Sequence, residues 1–264
     1  MTSKRGEVME FKNSEDLKYF VKGLKYIGSG SSGKAFYSKK TNKVYKIYDE
    51  FFDYDPECSI FRTEEEVLRF KNEKSGLAVF PEDVIRINGY ILGEVQPVAL
   101  GKNLYKINPL RVNLDNFSQA ISNAYDGIIL LSKKGIRTYD VTYNTMYNPI
   151  KDGKISMIDT IEWSYSGKST DELIRENINN FSYEICLFLV DEIFDSFVES
   201  NVQLKSLYKD KEDAHEFVGV FRKVLSEAVG KKVETLADAK KLFDKKLNNT
   251  IFTPEYERSV YIKR

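Results

Sequence analysis

The run Gly28-Ser29-Gly30-Ser31-Ser32-Gly33 spaces three glycines as G-x-G-x-x-G. A segment with so little side-chain bulk lets the backbone approach a bound group closely and offers its N–H groups to an anion. Phosphate binding is the chemistry this spacing can do, and a plain hairpin turn is the other use of it. The residues that follow separate two kinds of phosphate site. Lys34-Ala35-Phe36-Tyr37 continues as a strand-like run, whereas a dinucleotide fingerprint opens a helix after its glycines.

Thirteen residues after Gly33, Lys46 stands inside the alternating run Lys43-Val44-Tyr45-Lys46-Ile47-Tyr48. An ammonium in an apolar strand either carries its head out to solvent or points inward to a phosphate and a carboxylate. Glu64, Glu65 and Glu66 follow 18 to 20 residues later. They suit either a solvated first helical turn or the carboxylate that Lys46 needs. Glu64 is the first choice, because Val67 and Leu68 then fall on its own helix face, and Glu65 is the reserve.

The elements that must hold these residues can be read from periodicity. Tyr26 to Tyr48 reads as an antiparallel meander turning at Thr41-Asn42. A one-faced helix begins near Thr63 as cap and closes at Gly76. Val84 onward is a strand that turns at Gly89, and a further strand runs from Tyr90 and ends at Pro97. From Asn103 helical patterns dominate: Asn103–Ile107, Asp115–Lys134 ending before Gly135, and Glu172–Ser200. Between the last two lies an irregular stretch whose strand-like pieces, Thr145–Ile150 and Lys154–Asp159, flank an Asp152-Gly153 turn. Lys205 to Arg264 reads as further amphipathic helices.

Composition narrows the function classes. Lys plus Arg equals Asp plus Glu at 40 each, so no whole-molecule field draws in nucleic acid or an anionic membrane. One histidine and two cysteines, Cys58 and Cys186, leave no zinc cluster and no nucleophile triad. The longest apolar run, Ile185 to Val190, is too short to span a bilayer, and the polar N-terminus lacks a signal-peptide pattern. A cytoplasmic protein with reduced thiols is expected.

Glycine loop, strand lysine and helix glutamate, in that order, resemble the N-terminal lobe of the eukaryotic-type protein kinase superfamily. The likeness covers roughly residues 24 to 200 and implies an α+β, two-lobed protein-kinase-like fold. Residues 1–96 would form a five-stranded antiparallel sheet with one helix, and residues 97–264 a mainly α-helical lobe. The resemblance implies ATP and Mg²⁺ as cofactors, with Ala35 beside the loop and Glu94, Val95 and Gln96 as the hinge that bonds adenine. Tyr139-Asp140-Val141-Thr142-Tyr143-Asn144 resembles the catalytic loop, with Asp140 the catalytic aspartate and Asn144 a metal ligand. Asp159, after Lys154–Ile158, stands where the family places its magnesium-binding aspartate. The implied activity is phosphoryl transfer to a hydroxyl of a protein or of a small molecule; a nucleotide-binding or scaffolding pseudokinase is the alternative.

The sequence also departs from the family. Thr138-Tyr139 replaces His-Arg, and three residues separate Asp140 from Asn144 where the protein kinases have four, so Thr145 and Asn148 compete with Asn144. Thr160-Ile161 follows Asp159 in place of Phe-Gly, and no Ala-Pro-Glu follows. These features point toward divergent members, such as the aminoglycoside and choline phosphotransferases. Without the family, Asp140 reads as a turn residue and Asp159 as a helix cap. Trp163 and Tyr165 read as packing residues or as an acceptor wall, and His215 as a surface residue.

Overall fold

The computed structural model describes residues 9–30, 32–52, 62–150, 153–190 and 192–239. Ser31, Cys58, Asp152 and the expected helices beyond residue 239 lie outside that set. The chain divides into two compact units. The first holds the chain through Lys74, Val79–Ala99 and Asp159–Ile161, and the second holds Ser75–Ala78, Leu100–Ile158 and the chain from Glu162 onward.

Unit 1 runs β1 (Met9–Phe11), α1 (Ser14–Lys22), β2 (Lys25–Gly30), β3 (Gly33–Ser38), β4 (Lys43–Tyr48), α2 (Asp49–Phe52), α3 (Glu64–Val67), β5 (Asp83–Ile87) and β6 (Tyr90–Pro97). Its sheet has six strands in the order β1-β5-β6-β4-β3-β2. The expected five-stranded antiparallel sheet is therefore corrected to a mixed sheet, because β1 joins the edge parallel to β5 with Met9 opposite Ile85. Asn13 caps α1 by accepting from the Asp16 N–H at 2.9 Å, and α1 returns the chain to the far edge. The remaining pairs are antiparallel, and the glycine segment is the tip of the β2–β3 hairpin, with Gly30 opposite Gly33.

Period-two alternation gives this sheet two different faces. One is apolar: Tyr45, Ile47, Ile85, Leu92 and Val95 pack with Phe36, Phe51 and Leu17 of α1. The other carries Lys46 and Glu94 beside Tyr48, Val84 and Ile91, closed over by Val67 and Ile161. The helix expected to run from Thr63 to Gly76 is a single turn. Thr63 forms a capping box with Glu66, and Leu68 ends the helix. Val67 and the Phe70–Phe80 ring pair (5.2 Å) tie down the rest of this stretch, so little helical face is left to bury.

Unit 2 is mainly helical, with α4 (Leu114–Lys133), α5 (Thr170–Leu189), α6 (Glu192–Ser200), α7 (Val202–Asp210) and α8 (Ala214–Val229). α4 buries Leu114, Phe117, Ile121, Ala124, Ile128 and Leu131 at helical spacing, and Gly135, at φ +77°, lets the chain turn after it. The long helical pattern from Glu172 to Ser200 breaks at Val190, so it forms α5 and α6. Short strands complete the unit: β7 (Lys102–Asn103), β8 (Ile136–Arg137), β9 (Thr145–Asn148), β10 (Lys154–Met157) and β11 (Ser164–Tyr165). β9 and β10 form the expected hairpin, with Thr145 opposite Met157. The expected helix Asn103–Ile107 is instead a strand residue followed by one 3-10 turn, Leu104–Lys106. Among the described residues, no helix is long and apolar enough to cross a membrane.

Candidate active site

Pairing register assembles one group of candidate residues in unit 1. Gly28 on β2 faces Ala35 on β3, Ala35 faces Lys46 on β4, Lys46 faces Glu94 on β6, and Glu94 faces Val84 on β5. Directly opposed residues project from one face of a sheet. Four residues singled out in the sequence therefore lie in one row, on the face opposite the α1 core.

Lys46 is almost wholly buried, and its Nζ donates to Oδ1 of Asp159 at 2.5 Å. Asp159 enters unit 1 two residues after the end of β10. The 3-10 turn Thr160–Glu162 fixes it there, since Ile161 packs with Tyr48, Val67, Val84 and Ile91, and the Thr160 hydroxyl donates to the Val79 carbonyl at 3.1 Å. The Thr-Ile pair that departs from Phe-Gly is thus the anchor of Asp159.

Glu94 is 1% exposed. Its Oε2 accepts from the Tyr48 hydroxyl at 2.9 Å, while its Oε1 is buried without a hydrogen bond. Burial pushes the Glu94 carboxyl above its ordinary range, with the Lys46 charge and the Tyr48 hydroxyl opposing that shift. Burial and the neighbouring Glu94 raise the Tyr48 phenol far above its usual value. Arg62, unnoticed in the sequence, lies over the Tyr48 ring at 4.8 Å and adds a second cation to this face.

The glycines differ. A Cβ at Gly33, where φ is +150°, would lie 2.3 Å from the Ile47 carbonyl oxygen, so strand packing alone demands glycine there. A Cβ at Gly28 or Gly30 would meet no atom within 4 Å. Packing leaves those two positions free, and open backbone at a hairpin tip is what a phosphate cradle needs. Ser29 and Ser32 flank this tip, with Ser29 opposite Lys34.

Two expectations are corrected here. Glu64 pairs with Arg86, Glu65 is exposed, and Glu66 closes the capping box through Thr63 N–H at 2.7 Å. The carboxylates beside Lys46 come instead from β6 and from the second residue after β10. Glu94, Val95 and Gln96 are not a free hinge segment either. They lie within β6, buried and paired to β4, with Glu94 and Val95 paired to β5 as well. Their backbone groups serve the sheet, because a central strand spends its N–H and C=O groups on its two neighbours.

A second group of candidate residues lies in unit 2. Asp140 is exposed at φ 48°. The Asn144 side-chain amide donates to the Asp140 carbonyl at 2.8 Å and to its carboxylate at 3.1 Å. Asn144 is thereby distinguished from its competitors. Thr145 is buried with its hydroxyl spent on the Val141 carbonyl, and Asn148 accepts from the Ile150 N–H two residues on. Both bonds of Asn144 use its NH₂ group, which leaves its Oδ1 as the atom able to ligate a cation.

Residues that sequence reasoning passed over hold this loop. Asn177 binds Thr138, and the Trp163 indole donates to the Tyr139 carbonyl at 2.8 Å, so Trp163 is a buried brace and not an acceptor wall. Glu184, buried on α5, accepts from Tyr105 at 2.8 Å and Thr142 at 2.5 Å. Burial raises its carboxyl, helped by the charge of Asp140 and opposed by those two bonds. A cavity of about 320 Å³ opens beside Asp140, lined by Arg137, Tyr139, Thr142, Tyr183 and Glu184. A polar residue inside the apolar pattern of α5 was the available signal for Asn177 and Glu184.

Asp140 and Asp159 share a further property. Five non-glycine residues among those described have positive φ. Asn42 and Asn88 sit at turns and Lys211 caps α7, which leaves the two aspartates. Left-handed backbone at a non-glycine residue concentrates at functional positions, where the surroundings must enforce it.

No group of three His, Cys, Asp or Glu side chains suited to a metal occurs among the described residues. A carboxylate such as that of Asp159 and an amide oxygen such as that of Asn144 are each a ligand type that suits Mg²⁺, which completes its shell with water and phosphate oxygens. No protein-family model matches this chain, and no curated protein sequence matches it.

Proposed function

We propose that this protein is an ATP-dependent phosphotransferase of divergent protein-kinase-like type, acting with Mg²⁺ on a hydroxyl acceptor. The observation that carries the reading is the Lys46–Asp159 pair on the polar sheet face, in the same strand row as Gly28 of the glycine hairpin. A nearly buried ammonium held by an aspartate is a ready site for phosphate oxygens and a small oxygen-loving cation.

Mg-ATP, when bound, supplies the transferable phosphoryl group and the positive charge that neutralises it. The chain's own residues do the rest. In unit 1 the open backbone at Gly28 and Gly30 would receive phosphate oxygens, Lys46 would donate to them, and Asp159 would be a cation ligand; in unit 2 the Asn144 amide oxygen would be the cation ligand on offer. Asp140 orients the acceptor hydroxyl and accepts its proton. The cavity beside Asp140, walled by Tyr139 and Tyr183, is the acceptor's place in this reading.

The pairing of Glu64 with Arg86 favours a second reading, a nucleotide-binding module without transfer, because the helix carboxylate that the kinase pattern pairs with Lys46 is engaged elsewhere. Thermal unfolding with ATP, with and without Mg²⁺, followed by incubation with labelled ATP and cell extract, tests both. Stabilisation together with label on protein or on a small molecule supports the transferase. Stabilisation without transfer supports the binding module, and the absence of any stabilisation removes both.

A further inference from the structure

On the polar face of unit 1, two carboxylates flank the ammonium of Lys46, and one of them holds it. Asp159 Oδ1 accepts a hydrogen bond from the Lys46 Nζ, 2.5 Å away. Glu94 stands directly opposite Lys46 in the β4–β6 ladder. Its side chain shares the face of Lys46, with Cβ atoms about 5 Å apart at such a pairing. Glu94 is 1% exposed and fixed at one end, where Oε2 accepts from Tyr48 at 2.9 Å. At the other end Oε1 is buried without a partner. A buried acceptor left unmade is costly, and native structures keep few of them. The Lys46 charge acts on Glu94 more strongly than that of Arg62 does.

A divalent cation on Asp159 cannot share that carboxylate comfortably with an ammonium at hydrogen-bond distance, since like charges so close repel strongly on a water-poor face. The displaced ammonium needs an acceptor within the reach of its side chain. We propose that Glu94 is the second seat of Lys46: the lysine pairs with Asp159 while that carboxylate is metal-free, and moves to Oε1 of Glu94 when a divalent cation takes Asp159. Glu94 is then a positioning residue, carrying Tyr48 on one oxygen and Lys46 on the other. It does from a strand what the sequence pattern expects of Glu64, whose carboxylate is spent on Arg86. This inference rests on Asp159 being a metal ligand.

Calorimetric titration of ATP into wild type, Glu94→Gln, Lys46→Met and the double variant, each with Mg²⁺ and with EDTA, tests it. Glu94→Gln weakens Mg-ATP binding about tenfold, or about 1.4 kcal/mol, and leaves metal-free ATP binding unchanged. In the Lys46→Met background, adding Glu94→Gln changes Mg-ATP binding less than about twofold. An equal loss in both backgrounds, or no loss in either, overturns the second seat. A measurement on the unmodified chain stands beside these variants. The carboxyl carbon that couples through the hydrogen bond to the Lys46 Nζ in NMR spectra should switch from Asp159 to Glu94 on adding Mg-ATP, and a coupling that stays on Asp159 overturns the proposal. Wild type that binds neither ATP nor Mg²⁺ removes the metal role of Asp159 and this inference together. Binding without coupling removes this inference alone.

Discussion

Asn177 of α5 accepts from Thr138 twice, from its backbone N–H at 2.9 Å and from its hydroxyl at 3.1 Å. Its amide nitrogen donates to the Ser132 hydroxyl and the Ile136 carbonyl, both at 2.9 Å. One fully buried side chain thus joins α4, β8 and α5 two residues before Asp140. Left-handed backbone at Asp140 persists because the chain on either side of it is fixed, by Asn177 before it and by the bonds of Asn144 and Thr145 after it.

Asn177→Leu keeps the volume and takes their partner from the Thr138 N–H, the Thr138 hydroxyl and the Ile136 C=O, while the Ser132 hydroxyl keeps its bond to the Ile128 carbonyl. Each buried group left unpaired costs about 1–3 kcal/mol. The expected destabilisation is about 3 kcal/mol or more by urea unfolding, with Asn177→Asp milder because it keeps the acceptor for Thr138. A loss under about 1 kcal/mol for Asn177→Leu would show that the network is ornamental.

The glycines make a paired prediction. Gly33→Ala drives a Cβ to 2.3 Å from the Ile47 carbonyl at φ +150°, so β3 and β4 must separate. A cost of about 3 kcal/mol or more is expected, within the range of a severe backbone conflict. Gly30→Ala meets no atom within 4 Å and should change stability by less than about 1 kcal/mol. In the proposed reading Gly30→Ala nevertheless weakens ATP binding, because its methyl group intrudes on the cradle. Thermal midpoints with and without ATP separate the two effects.

How much of this was legible in the sequence depends on whether a residue's partner is local. The β2–β3–β4 meander, α4 and the β9–β10 hairpin follow from short-range periodicity and turn residues, and they form where expected. β1 was missed because three residues carry no period, and only pairing with β5 makes them a strand. Lys46 was singled out correctly as an inward lysine, yet its carboxylate was sought on the nearest acidic helix. The true partner, Asp159, lies 113 residues away in sequence. Glu94 read as a hinge residue because Tyr90–Pro97 resembles the strand that leads into the kinase hinge; that its side chain opposes Lys46 follows from register, which a single strand does not display.

Glu94 also predicts a pH dependence. Its folded carboxyl sits above the ordinary value of 4.5, with burial the main cause. An unfolded chain releases this proton near 4.5, while the native state keeps it to higher pH. Over that interval the native state binds more protons, so stability falls as pH rises from about 4.5 through the raised value. Glu94→Gln removes this contribution, and its stability curve should gain on wild type over the same interval. The groups facing Glu94 are Lys46, Tyr48, Asp159 and Arg62; Glu184, also raised, contributes the same sign in both proteins. Urea midpoints from pH 4 to pH 8 check the difference, and parallel curves would show that Glu94 titrates as an ordinary carboxylate.

The two aspartates in left-handed backbone divide the proposed labour, and the asparagine exchange isolates their charge because asparagine tolerates positive φ at least as well. Asp159→Asn removes the partner of Lys46 and, in the proposed reading, a cation ligand. Mg-dependent ATP binding should fall about tenfold or more while transfer is lost. Stability should fall by about 3 kcal/mol, since the exchange leaves the Lys46 side chain, 10% exposed, without its carboxylate. Asp140→Asn alters an exposed carboxylate that, in the proposed reading, meets the acceptor hydroxyl and not the nucleotide, and asparagine can still accept from the Asn144 amide, so Mg-ATP affinity should stay within about twofold of wild type. Transfer should nevertheless fall by about a hundredfold or more, because the acceptor proton loses its base. Calorimetry for binding and labelled-phosphate transfer for turnover, run on both variants, resolve the pattern. Equal loss of ATP binding in the two, or full transfer by the Asp140 variant, would return Asp140 to the role of a strained turn residue held by Asn144, and would leave the nucleotide-binding module as the surviving reading.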